Sequence, residues 1–135
     1  MLNNMEILAT IPVKDLAKAR KFYEGMLGLE PLAFEGNEVV TYRAGSSRLL
    51  VYHSQYAGSN KATTATWFLG DDLDNVVRSL KNKGVAFEHY QFPEAKLEGD
   101  VHVMGKTRNA WFKDPDGNIL SLVNGQPAES RVGAR

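Results

Sequence analysis

Two stretches of this chain carry the same punctuation. Asp15-Leu16 opens an apolar pattern at Leu16, Ala19, Phe22, Tyr23, Met26 and Leu27 that closes at Gly28-Leu29, and Asp72-Leu73 opens Leu73, Val76, Val77 and Leu80, which closes at Gly84-Val85. Each reads as an acidic N-cap, one amphipathic helical stripe, a glycine for the left-handed C-terminal position and an apolar follow-on. A β-compatible run precedes each, Ile7 to Val13 and Ala62 to Leu69. Two copies of so long a unit exclude a short-period solenoid and a propeller, and predict pseudo-symmetric halves.

Leu32 to Phe34, Val39 to Tyr42 and Arg48 to His53 read as strands parted by Gly36-Asn37 and Gly45-Ser46-Ser47, giving the first half the order β-α-β-β-β. In the second half Val85 to Phe87 is a short strand, and Ala110 to Lys113 with Asn118 to Val123 form a hairpin. Its turn is Asp114-Pro115-Asp116-Gly117-Asn118: Pro115 presets φ, Asp114 bonds the backbone ahead of it, and Gly117 takes the left-handed position. Turn geometry accounts for both aspartates without a catalytic role. Tyr90 to Arg108 is long, charged and glycine-rich with no period, the composition expected of a functional loop or lid. One domain is expected, with a first module over about residues 5–54, a linker at 55–62, a second module at 63–123 and a flexible tail at 124–135.

Sixteen basic residues balance sixteen acidic ones, which argues against a nucleic-acid or anionic membrane partner. Without cysteine there is no disulfide framework, thiolate metal site or cysteine nucleophile. The N-terminal residues lack the charge-then-apolar order of a targeting signal, and no apolar stretch reaches membrane-spanning length, so a cytoplasmic protein is expected.

Ile11-Pro12-Val13-Lys14-Asp15-Leu16 with Phe22-Tyr23 and Leu27-Gly28-Leu29, the restart at Asp72-Leu73 with Gly84-Val85, and Phe112-Lys113-Asp114-Pro115-Asp116-Gly117-Asn118 together resemble the vicinal oxygen chelate superfamily. Its members include lactoylglutathione lyase, extradiol dioxygenases, and fosfomycin and bleomycin resistance proteins. The resemblance implies an α+β fold of two βαβββ modules, curved mixed sheets around a cavity with helices on the convex side, and commonly a homodimer. It does not imply one activity, because the fold hosts many. Strand alternation agrees: Ile7, Ala9, Ile11 and Val13 share a face suited to Phe22, Met26, Val76 and Leu80, which turns Leu8 and Thr10 toward the cavity. The same alternation turns Ala65 and Trp67 inward, and Ser121 with Ile119.

Metal-dependent members hold a divalent ion with His or Glu/Gln side chains from the first, fourth, fifth and eighth strands. Matched through the motifs, those positions are Leu8, Tyr52 or His53, Ala65 and Ser121. Such a set cannot grip a metal in the family manner, so no metal and no cofactor are expected.

Other residues suit ligand binding. Of three histidines, His89 reads as an ordinary surface imidazole, while His102 sits in the long loop and could orient a ligand or act as a general base. Lys106 and Arg108 would suit a carboxylate or phosphate, although a solvated pair is the plainer reading. Trp67 offers a flat wall and one donor, Trp111 a second ring, and Thr10, Tyr42, Tyr52 and Ser121 hydroxyls. The reading these support is a metal-independent binder of a small aromatic or amphipathic compound, with sequestration of a toxic compound as family precedent. Its rivals are a lyase, isomerase or dioxygenase relative using His53, His102 or tyrosine hydroxyls, and a dimeric accessory domain without ligand.

Overall fold

The structure, a computed structural model, describes residues 2–4 and 8–125. The expected strand start at Ile7 and all but the first two residues of the expected tail lie outside that range. The described residues divide into two compact units, the first running to Thr64 and taking in Asp114–Asn118, the second holding the rest.

The first unit has a mixed sheet in the order β1-β4-β3-β2, from β1 (Ala9–Val13), β2 (Glu30–Glu35), β3 (Val39–Ala44) and β4 (Ser47–His53). β1 runs parallel to β4 and the other pairings are antiparallel. Between β1 and β2 lies α1 (Leu16–Arg20), capped as expected by Asp15, whose carboxylate accepts from the Lys18 amide at 3.1 Å. The helix does not stay α-helical to Leu27. It widens into a π-helix over Lys21–Met26, with the Leu27 amide reaching the Phe22 carbonyl at 3.0 Å. One residue more separates Asp15 from Gly28 than Asp72 from Gly84, and the wide turn absorbs it.

Ile11, Val13, Ala19, Phe22, Tyr23, Val40, Tyr42, Leu49 and Val51 make the core of this unit. The hairpin tip completes it. Asp114 accepts from the Tyr23 hydroxyl at 2.8 Å, from the backbone amides of Asp116 and Asn118 at 2.9 Å each, and from the Asn118 side chain at 2.8 Å. Asn118 also donates to the Pro12 carbonyl at 2.8 Å. Gly58, at φ +82°, lies so close to the Asp116 carbonyl that a Cβ there would collide with it.

The second unit's sheet runs β5-β10-β9-β8-β7, from β5 (Thr63–Phe68), β7 (Lys96–Glu98), β8 (Val101–Met104), β9 (Thr107–Lys113) and β10 (Ile119–Val123). The short β6 (Phe87–Glu88) pairs with β9 beyond the end of β8. Helix α2 (Leu73–Asn82) buries Leu73, Val77 and Leu80, which share an apolar core with Val85, Ala110, Phe112, Leu120 and Leu122.

The expected loop from Tyr90 to Arg108 is corrected in part. It contains the β7–β8 hairpin, in which Glu98 faces Val101 across Gly99-Asp100, and a second tight turn at Gly105-Lys106. Strands of three and four residues are too short to show a period, although two-residue turns with glycine at φ +64° and +58° are hairpin chemistry. Asn124, assigned to the tail, is tied down: its amide donates to the Arg108 carbonyl at 3.1 Å, and its side chain accepts from the Arg108 amide at 3.0 Å.

Candidate functional site

Alternation along β9 and β10 sorts the second sheet into two faces. Ala110, Phe112, Leu120 and Leu122 enter the core, so Asn109, Trp111 and Ser121 stand on the face away from α2. Register adds to that face His102, opposite Asn109, then Leu97, opposite His102, and Glu88, opposite Trp111. Between β6 and β7 the chain leaves the edge of β9 and returns as the hairpin. This excursion borders an open pocket of ≈ 470 Å³ lined by Tyr90, Gln91, Phe92, Pro93, Ala95, Lys96, Leu97 and His102.

Tyr90, Phe92 and His102 of the lining form a cluster of rings with Trp111. The edge of His102 meets Trp111 at 4.9 Å between centroids, Tyr90 stacks on His102 at 6.1 Å, and Phe92 stands 5.9 Å from His102 and 5.6 Å from Trp111. His102 is only 2% exposed, and its Nε2 accepts from the Tyr90 backbone amide at 2.8 Å. Among the described residues three buried side-chain polar atoms lack a hydrogen-bond partner: Thr64 Oγ1, the Tyr90 hydroxyl and His102 Nδ1. Two of these three belong to this pocket, which separates it from a merely packed aromatic core. Burial, and then the neighbouring Glu88 charge, push the Tyr90 hydroxyl pKa upward, so it stays protonated and able to donate.

The structure brings His102 and Trp111 together and sets Ser121 opposite Trp111 on the same face of the second sheet. Tyr42 is not on an open face: it is fully buried, stacked on Tyr23 at 6.0 Å, with its hydroxyl donated to Glu24 at 2.8 Å. Thr10 is exposed and faces Leu50 across β1 and β4, and Pro12 faces Tyr52. Leu49 and Val51 are buried, so Tyr52 stands on the opposite face with Leu50 and His53 on the core side, exposed at the strand end and 3.1 Å from Glu38. Trp67 is half-buried beside the exposed Phe68. Lys106 lies exposed in the β8–β9 turn, and Arg108 is committed to Asp74 at 2.9 Å and Glu98 at 3.5 Å. Ser121 is buried, with Oγ accepting from Asn109 at 3.3 Å. Sequence reasoning missed Tyr90, Phe92, Lys96 and Leu97, although it marked the segment that carries them.

The family's metal positions fall on Leu8 and Tyr52 in the first sheet and on Ala65 and Ser121 in the second. With His53 turned to the other side of its strand, that set holds no imidazole and no carboxylate, and it does not fit a divalent ion. Among the described residues no three His, Asp or Glu side chains converge on a possible metal site.

Two strand-helix-sheet modules, one bearing a ring-lined pocket, place the chain in a duplicated-module α+β class. The model of the Glyoxalase/Bleomycin resistance protein/Dioxygenase superfamily matches residues 7–122, and the chain belongs to that superfamily. Solved structures agree on the fold. The bleomycin resistance determinant encoded on transposon Tn5 is 20% identical with a TM-score of 0.68, over 90% of this chain and 98% of that one. The fosfomycin resistance protein FosX from Listeria monocytogenes, complexed with Mn(II) and sulfate, is 16% identical with a TM-score of 0.67, over 96% and 97%. Lactoylglutathione lyase from Agrobacterium tumefaciens is 17% identical with a TM-score of 0.66, over 88% and 92%. Among the described residues no helix is long and apolar enough to cross a membrane.

Proposed function

We propose that this protein binds a small aromatic or amphipathic molecule without a metal ion, in the pocket beneath residues 90–97, and acts by sequestering it. The observation that carries this reading is a pocket lined by Tyr90, Phe92 and His102, with Trp111 packed against His102, in which the Tyr90 hydroxyl and His102 Nδ1 have no partner among the described residues. A volume of ≈ 470 Å³ lies within the roughly 300–1,000 Å³ of small-molecule sites, and rings with a few directed polar groups are their usual lining. The donor-poor set Leu8, Tyr52, Ala65 and Ser121 supports metal independence. A cytosolic homodimer is proposed, the dimer being the arrangement the family resemblance implies, and Leu8, just ahead of β1, is 40% exposed. Light scattering on the purified protein reads the dimer directly.

A thermal-shift screen of aromatic compounds, with and without EDTA, tests the rest. A ligand at a hundred times its Kd stabilises the fold by about 2.7 kcal/mol, a shift of several degrees. Stabilisation unaffected by EDTA is the expected result. Stabilisation abolished by EDTA and restored by Mn(II), Ni(II) or Zn(II) overturns metal independence, and silence across the panel favours an accessory domain.

A further inference from the structure

We propose that the ligand is a planar aromatic anion, such as an aryl carboxylate, whose oxygen accepts from His102 Nδ1 and whose charge is met by Lys96. This inference rests on the pocket being the ligand site. The first argument is the tautomer of His102. A ring nitrogen that accepts a backbone N–H keeps its lone pair there, so the Tyr90 amide on Nε2 assigns the ring proton to Nδ1. Nδ1 is buried and has no partner among the described residues, which leaves one fixed donor on a side chain that lines the pocket. A ligand acceptor satisfies it, whereas an ammonium brings a second donor and leaves both unpaired. The Tyr90 hydroxyl can donate or accept and does not discriminate.

Charge points the same way. Lys96, at the start of β7, is exposed, is the one Lys, Arg, Asp or Glu among the lining residues, and makes no ion pair among the described residues. No Asp or Glu lines the pocket. The carboxylates nearby are committed: Glu88 to Lys113 at 3.4 Å, Glu98 to Arg108 at 3.5 Å, and Asp100 to Lys81 at 3.0 Å and His89 at 2.8 Å. Glu94 is exposed and outside the lining. Shape supplies the flat ring, because Tyr90, Phe92 and His102 wall the pocket and Trp111 backs His102.

Calorimetric titration of the intact protein in EDTA with naphthoate, its neutral amide naphthamide and the cation naphthylmethylamine tests the class. Naphthoate is expected to bind about tenfold tighter than naphthamide, and the amine weakest. Lys96→Met lowers naphthoate affinity to that of the amide and leaves the amide unchanged. His102→Gln, which keeps a polar atom toward the Tyr90 amide and removes the Nδ1 donor, weakens naphthoate and naphthamide alike by about tenfold. Equal binding of acid and amide, preference for the amine, or naphthoate affinity indifferent to both substitutions overturns the anion assignment and leaves the pocket reading standing. No binding by any of the three removes the pocket reading itself.

Discussion

In the first unit both core tyrosine hydroxyls donate to a carboxylate, Tyr23 to Asp114 and Tyr42 to Glu24, while in the second the Tyr90 hydroxyl and His102 Nδ1 are buried with no partner among the described residues. Both halves grow from the same strand-helix-strand plan, so the difference lies in what the polar groups are for. A satisfied network fixes one packing arrangement, and Tyr23, its pKa pushed up by burial and then by the Asp114 charge, stays a donor at any ordinary pH. A pair of unsatisfied groups beside a pocket is stabilising only once something else fills it. Under the proposed function the first half is scaffold and the second receptor.

The largest effect that would sharpen this contrast is expected at Asp114. Asp114→Ala leaves the buried Tyr23 hydroxyl and the turn amides without their acceptor, and a loss of about 3–5 kcal/mol in urea unfolding is expected. A loss below about 1 kcal/mol would mean that the turn holds itself and that the first unit needs no network.

Paired hydroxyl deletions probe the contrast more directly. Tyr42→Phe removes a made hydrogen bond and is expected to cost about 1 kcal/mol, whereas Tyr90→Phe removes an unmade one and should be neutral or stabilising. Equal costs at the two sites would erase the distinction.

The smallest effect is electrostatic. The His89 hydrogen bond, and after it Lys81, hold the Asp100 carboxyl below its ordinary value of 3.8. A carboxyl depressed in the folded state contributes stability above its unfolded pKa and loses it as pH falls through the folded one. Asp100→Asn should thus cost at most about 1 kcal/mol near neutrality, with the gap from the native protein shrinking below about pH 4. A gap independent of pH would assign the effect to packing.

Much of the fold could be read from the chain because its signals are local. Asp15, Gly28, Gly84 and the Asp114–Asn118 turn each declare a cap or a turn within a few residues, and each does its expected job. What escaped depends on register. Whether Tyr42 faces core or opening is settled by its pairing with Leu49 on β4, which no local pattern encodes. Arg108 looked like a free cation because its partner Asp74 lies on α2, far away in the chain. The ring cluster arises where β6 and β8 share one edge of β9, bringing Tyr90 and Trp111 within 5.6 Å, so only the segment, His102 and Trp111 could be marked in advance.

The hairpin tip has a consequence for how this chain can be cut. A fragment ending in the linker would contain every strand and helix of the first half, yet it would strand the Tyr23 hydroxyl and the Pro12 carbonyl and uncover the surface on which Gly58 rests. The repeat invites a split into two genes, but complementation should succeed only when the later piece carries Asp114 through Asn118 and delivers that loop to its sister.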